Sequence, residues 1–522
     1  MSATAPAGSQ KQWTRYVLPS ISDLIFLVLL FSLSMGSLAP RLLGDGDTGW
    51  HIRNGQLILS THTITRVDPF SSTMQGKTWY AWEWLYDAVI ARLHGWYGLN
   101  GVVFGSAFVI AVTFSLMFML AQARGGTLLG TVLLSLLAMT ASSIHFLARP
   151  HILSWLLTLF WFHLLDSSEK APSGGKKLLW LPAIMLLWVN MHGGFVIGFV
   201  LLGIYGLTNL ASFLRSKNPA ERKVAGKRLW RIGLVGITSG LASLINPFGF
   251  QLHVHIYRYL SNSFLMNQIS EFQAPNFHGI PQQCFVLLVL VTIAAFAWRM
   301  REPRLAELLV ALFAIASGFY ASRNLPTSSI LLTLIIAPYL AGSSEERSDA
   351  EPQPEQRVGR FQTFWTRMQS MDRQLRGHVW PAILVLLGTW ALIAGGRLGN
   401  HQLMSASFSE KQFPVAAAEV IQQRHIPGPI FLPDSWGGFV IYRLYPDVKV
   451  TDDDRHDLYG EQFFKNYLTI TRVEPGWEQK LSQINANWVL MPKSSPLSAA
   501  LGEKAGWAIE YQDGTAVLFH KL

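Results

Sequence analysis

The chain has 522 residues, 50% hydrophobic and only 14% charged, with 19 tryptophans and a mean hydropathy of +0.27. A soluble globular chain carries nearer a quarter charged residues, so this composition excludes one and indicates a multi-span membrane protein with soluble parts. The formal charge of +10 does not indicate nucleic acid, because the basic residues lie between apolar runs and orient a membrane chain.

Residues 1–16 are polar and read as a cytoplasmic N-terminus. The apolar run Leu18–Ala39 is long enough to cross a bilayer and has no small-residue cleavage site, so it reads as a retained first span. A polar stretch, Gly44 to Gly55, follows at the membrane surface with Asp45 and Asp47 on glycine-flanked backbone. Helical spacing puts His51 one turn after Asp47, with Arg53 and Asn54 just beyond. The rest of the first outer loop, 40–100, reads as two amphipathic interfacial helices, Thr48–Leu59 and Trp79–Leu93, split by Val67–Ser71.

Ten further spans are expected near 101–121, 128–147, 151–166, 178–192, 193–214, 232–246, 283–298, 305–321, 325–341 and 380–396. The stretch 178–214 is too long for one pass, roughly 55 Å as a helix, and reads as two passes turning at His192-Gly-Gly194. Eleven spans from a cytoplasmic N-terminus leave 22 basic residues inside and eight in the outer loops, as the positive-inside rule requires. This puts a second long loop, 247–282, outside and a polar linker with a short basic helix, 342–379, inside. Cys284 is the single cysteine, so no intramolecular disulfide is possible. After residue 397 the composition turns soluble. Helices at 413–424, 437–444, 459–470 and 474–484, strands at 430–432, 448–450 and 487–491, and a hairpin at 507–519 indicate a small α/β domain over 398–522.

With this topology the unusual polar residues share the outer face: Asp45 to Arg53, Glu83, Arg149 and His151, His192, Glu271, Arg323, and the C-terminal domain. Taken singly, each has a plain structural explanation, such as a helix cap, a span boundary or an interfacial tryptophan belt. Their joint placement points to a site. Trp436-Gly-Gly438 and Asp452–Arg455 each follow an expected strand, the edge where such sheets bind ligands.

The first outer loop resembles that of the GT-C superfamily of polyprenyl-phosphate-dependent glycosyltransferases, closest in its motifs to oligosaccharyltransferase catalytic subunits. The matching residues are Asp47, His51-Ile-Arg53, Asp68-Pro-Phe70 and Trp82-Glu-Trp-Leu-Tyr-Asp87, with Ile269-Ser-Glu271 in the second long loop. A looser match joins Asp434-Ser-Trp-Gly-Gly438 to Val450–Arg455. Trp436-Gly-Gly438 lacks the Trp-Trp-Asp that reads an asparagine sequon, and Arg149-Pro-His151 lacks the paired acids that the family uses on its metal. The resemblance implies a polytopic α-helical membrane protein, GT-C-like, with a C-terminal extracytoplasmic α/β domain, in the inner (plasma) membrane. It implies transfer of a sugar from a polyprenyl-phosphate-linked donor to a lipid, glycan or protein acceptor.

Such chemistry needs these residue types. The acceptor must lose a proton, for which Asp47 is the first candidate and Asp45 the second, with His51 and Glu83 as further catalytic candidates. The leaving phosphate gathers charge that Arg149, His151, His192 and Arg323 suit, arginine best because its planar fork grips two oxygens. A divalent cation, Mn²⁺ or Mg²⁺, is expected on Asp47 and Glu271. Trp436, Gly437, Asp454 and Arg455 are the acceptor-binding candidates. Two alternatives stay open: a transporter or flippase of a lipid-linked or anionic substrate, and a non-catalytic scaffold displaying the C-terminal domain. A transporter would set polar residues at mid-membrane rather than at span ends.

Overall fold

The computed structural model describes residues 14–170, 176–298, 302–340, 360–375 and 377–522. The N-terminal stretch before Thr14, the basic residues Arg299 and Arg301, and the linker residues 342–359 lie outside them. Among the described residues, five helices are long and apolar enough to cross a membrane: Arg15–Ser34, Trp84–Ala123, Leu128–His145, Gly193–Arg215 and Ile280–Ala297. Leu305–Tyr320 and Val379–Ile393 are shorter apolar helices. The protein is a multi-pass membrane protein, mostly helical, with a small C-terminal sheet.

The chain forms two compact units. The first takes residues up to Gly36, Ala107–His145 and Ala274–Met404. Its helix Leu325–Ile336 is buried at all twelve positions, Thr327, Ser328, Ser329 and Thr333 included, so it has no single apolar stripe facing a core. Helix Ile21–Ser34 begins with a capping box, in which Ser20 and Asp23 satisfy each other's backbone N–H groups. Glu307, fully buried, accepts from Arg124, Arg304 and the Tyr339 hydroxyl.

The second unit takes Ser37–Ser106, Phe146–Gln273 and Ser405–Leu522. Helices His151–Lys170, Leu181–Val189, Val196–Arg215 and Pro219–Ser243 pack together in it. The expected turn at His192–Gly194 is there, as a short 3₁₀ segment between the second and third of these. The expected helix at Trp79–Leu93 is corrected. It starts at Trp84 and ends at Gly98, whose φ of 60° and ψ of −154° are non-helical and separate it from a second helix that runs to Ala123 over the expected span 101–121.

The sheet has four strands: β1 (Ile430–Phe431), β2 (Trp488–Pro492), β3 (Trp507–Gln512) and β4 (Ala516–Lys521), ordered β1-β2-β4-β3. β1 runs parallel to β2, and β4 is antiparallel to both β2 and β3. The expected strand 448–450 is reduced to single bridges, Val450 lying between Ile430 and Ser71 of the first loop. Ser72 N–H donates to Val450 O at 2.9 Å and Thr451 N–H to Ile430 O at 3.0 Å. The core on this sheet holds Phe431, Val489, Met491 and Phe519, and also Leu265, Met266 and Phe272 from the second long loop. Phe272 anchors the turn that carries Glu271.

Candidate functional site

Close backbone approaches fix the helix Asp47–Thr61. A β-carbon at Gly49 would run into Gly438 of the Asp434–Leu444 helix, and one at Gly55 would run into the Asp87 carbonyl. Only glycine permits both crossings. Arg53 ties the first contact by donating to Tyr442 O at 2.9 Å. On a third side, Thr48 Oγ1 donates to Ala148 O at 3.1 Å, and Ala148 N–H donates to Leu42 O at 2.7 Å. The residue after Ala148 is Arg149.

Its guanidinium is held by acids. Nη1 donates to Asp45 Oδ2 at 2.7 Å, Nη2 pairs with Asp47 Oδ2 at 2.8 Å, and Glu271 Oε2 stands 3.8 Å from Nη1. Asp45 uses its other oxygen to accept Asp47 N–H at 3.0 Å. Asp47 is buried, and burial raises its carboxyl to about 7, with Arg149 opposing and Asp45 and Asp453 adding to the rise. Burial would loosen the proton on Arg149, but Asp45, Asp47, Glu271 and Asp454 more than offset that. Arg149, expected to grip phosphate, thus has both Nη atoms committed to carboxylates.

Among the described residues, two groups of side chains offer ligand atoms within 4.8 Å of one another: Asp45 with Asp47 and Asp454, and Asp434 with Asp454 and His456. Asp454 belongs to both. The acids that meet Asp47 are therefore Asp45 and Asp454, while Glu271 approaches the same Arg149. His456 Nε2 lies 3.1 Å from Asp434 Oδ2; burial opposes both charges, but this hydrogen bond, the attraction within the pair, the Ser435 and Tyr467 bonds to Asp434 and the charges of Asp47 and Asp453 near His456 together lower Asp434 and raise His456.

His51 is fully buried. Its ring stacks on Trp50 with centroids 3.7 Å apart and meets Tyr86 edge-on at 5.3 Å. Nδ1 lies 2.6 Å from Asp87 Oδ1, and Nε2 faces Glu83 Oε2 at 3.8 Å. His192 Nε2 approaches the other Glu83 oxygen at 3.7 Å. Glu83 and His192, expected in different roles, are thus neighbours.

The remaining candidates sit elsewhere. Arg455 is corrected from an acceptor contact to a buried clamp: it pairs with Asp68 at 2.8 Å and Asp453 at 2.6 Å, and lies 4.4 Å over the Trp79 ring. The cause is the Ser71–Val450 bridge, which folds the acidic turn onto the first loop. Trp436 is buried and donates to Gln412 O at 2.8 Å, and Gly437 packs on Asp452 and Asp453. His151 opens its helix with its ring 5.2 Å from Trp155. Arg323 lies on the 3₁₀ turn Ser322–Asn324 of the first unit. Sequence reasoning gave no role to Asp87, Asp434 or His456. Asp87 had a usable signal, since it closes the Trp-rich motif, and it lies nearer His51 than Glu83 does.

No family model and no curated protein matches the sequence. Solved structures do. The Archaeoglobus fulgidus oligosaccharyltransferase tethered with an acceptor peptide containing the NVT sequon is similar over 92% of this chain and 69% of that one, at a TM-score of 0.52 and 12% identity. The archaeal oligosaccharyltransferase AglB from the same organism, in complex with an inhibitory peptide and a dolichol-phosphate, is similar over 97% and 74%, at 0.52 and 12%. A complex of the Archaeoglobus fulgidus enzyme with Zn and sulfate covers 90% and 67%, at 0.50 and 10%. At such identities the likeness is one of fold, and it is the fold that the outer-loop motifs lead one to expect.

Proposed function

We propose that the protein is an integral membrane glycosyltransferase that moves a sugar from a polyprenyl-phosphate-linked donor to an acceptor on the extracytoplasmic face. The observation that carries this reading is the acidic cluster Asp45, Asp47 and Asp454 around Arg149, in a fold shared with oligosaccharyltransferases. The excess of basic residues in the other set of loops supports the orientation.

Three carboxylate oxygens within 4.8 Å make a hard-donor set that fits Mg²⁺ or Mn²⁺, so Asp45, Asp47 and Asp454 are the residues that would hold it. A cation there would neutralise charge on the leaving phosphate. Asp47 hydrogen-bonds the attacking group and orients it, since its carboxyl is fixed by Arg149 and cannot swing. Arg149 keeps Asp45 and Asp47 together against their mutual repulsion. His151 is assigned to the donor phosphate. The acceptor is a hydroxyl- or amide-bearing glycan, lipid or protein, and the buried Trp436 gives no support to a sequon reader.

The test is complementation. A deletion strain should accumulate one lipid-linked sugar by mass spectrometry, and the wild-type gene should clear it. Asp47→Asn should leave expression intact and lower transfer by at least about a hundredfold, with Asp45→Asn milder. Clearance by Asp47→Asn at the wild-type rate sinks the assignment.

A further inference from the structure

The His51 imidazole is bonded at one end only. Asp87 Oδ1 meets Nδ1, and Asp87 Oδ2 accepts from Asn54 Nδ2 at 2.6 Å, so the carboxyl cannot turn. At the other end Nε2 is buried without a hydrogen-bond partner and faces Glu83 at 3.8 Å. Separations of this kind shorten when a substrate closes the site. Glu83 is steadied from the far side by His192, whose tautomer is fixed by the backbone. Gly194 N–H donates to His192 Nδ1 at 3.0 Å, so Nε2 carries the hydrogen that points at Glu83 Oε1. A β-carbon on Gly194 would strike Nδ1 and Ser154, so this orientation depends on the glycine.

We propose that Glu83, His51 and Asp87 form a proton path, in which neutral His51 moves a hydrogen from Glu83 to Asp87 and so empties Glu83 to receive the hydrogen of the attacking group. The path rests on the glycosyl-transfer reading above. In the first step Glu83 Oε2–H passes to His51 Nε2 while His51 Nδ1–H passes to Asp87 Oδ1. The ring changes tautomer and stays uncharged. In the second step the acceptor's hydrogen goes to the Glu83 carboxylate, its electron pair forms the bond to the anomeric carbon, and the carbon–oxygen bond to phosphate breaks with its pair left on the phosphate. Every hydrogen is accounted for, and no imidazolium forms beside the buried rings.

Burial raises Asp87 well above the usual carboxylate value, with Asn54 and Arg455 opposing, so Asp87 holds firmly the hydrogen that reaches it. Burial lowers His51 to about 3, with Glu83 and Asp45 opposing and Arg149 and Arg455 assisting, so the ring is neutral at working pH. Burial raises Glu83 to about 7, with His51, Arg149 and Trp82 opposing and Asp87 assisting, so its proton is exchangeable there.

Nitrogen-15 NMR of histidine-labelled full-length protein in lipid bilayers reads the tautomer of His51 without substrate, its signal assigned by loss in His51→Gln. The wild type should show both neutral tautomers in exchange near pH 7. Asp87→Asn and Glu83→Gln, which keep shape, should each freeze one tautomer. With a synthetic polyprenyl-phosphate hexose as donor and water as acceptor, Asp87→Asn should lower kcat by at least about a hundredfold and leave donor KM unchanged. An imidazolium at pH 7, or one tautomer unaltered in all three proteins, overturns the path. If His51 exchanges but the wild type never turns over the donor, the transferase reading fails instead.

Discussion

Replacing Gly49 with alanine asks whether the helix crossing sets the site. A β-carbon there would stand 2.8 Å from Tyr442 Cβ and closer still to the Gly438 carbonyl oxygen. Carbon contacts need about 3.5–4.0 Å, so the helices must part by roughly 1 Å. No side-chain rotation relieves the clash, because the obstacle at Gly438 is backbone. Overpacking of this kind costs about 1–3 kcal/mol. The displacement falls on Asp47, half a turn upstream, and moves it relative to Asp454. A misplacement of about 1 Å typically costs a hundredfold in rate. Purified Gly49→Ala should therefore melt below the wild type by tryptophan fluorescence and turn over donor about a hundredfold more slowly. Gly203→Ala is the control, since a β-carbon there meets nothing within 4 Å. Wild-type melting and turnover in Gly49→Ala would refute the reasoning.

Arg455→Ala strips the cation from buried Asp68 and Asp453 and should cost about 3–5 kcal/mol, read as a lower melting temperature; an unchanged melt removes the clamp. Burial alone would raise Asp68, but Arg455 and Ser71 win and hold it below the usual 3.8, so its stabilisation is present above that pH and lost as pH falls through the depressed value. Asp68→Asn should therefore flatten the acid side of the stability profile, and an unaltered acid limb counts against the pair. Asp454→Asn should weaken Mn²⁺ binding by at least about tenfold in calorimetry, and unchanged affinity takes Asp454 out of the donor set. His151→Ala should reduce donor affinity roughly ten- to a hundredfold; unaltered binding retires the phosphate contact.

Local features were legible in the chain. The break at His192-Gly-Gly194 follows from a length that no bilayer accommodates in one pass, and the Asp47 helix follows from its spacing. What depended on distant partners was not. The 448–450 segment has strand-like residues, but its pairing is set by Ser71, far away in sequence. Arg455 looks like a surface residue beside three aspartates until Asp68 and Trp79 enclose it. Gly49 and Gly55 fall within the expected helix Thr48–Leu59, but the backbone of Gly438 and Asp87 that presses on them comes from distant segments. His51 and Glu83 were visible as candidates, and Asp87 was visible as a motif residue. Their alignment required knowing how two helices cross.

The single bridge that Val450 makes to Ser71 bears on the order in which the protein is made. Residues 37–106 leave the ribosome well before 405–522, but both belong to one compact unit. A chain interrupted before Val450 carries Asp45, Asp47 and Arg149 yet has neither Asp454 to complete the acidic cluster nor Arg455 to neutralise Asp68. Its first loop also lacks the Asp434–Leu444 helix against which Gly49 packs. A chain cut before Val450 therefore has an incomplete acidic cluster and a buried Asp68 without its Arg455 partner.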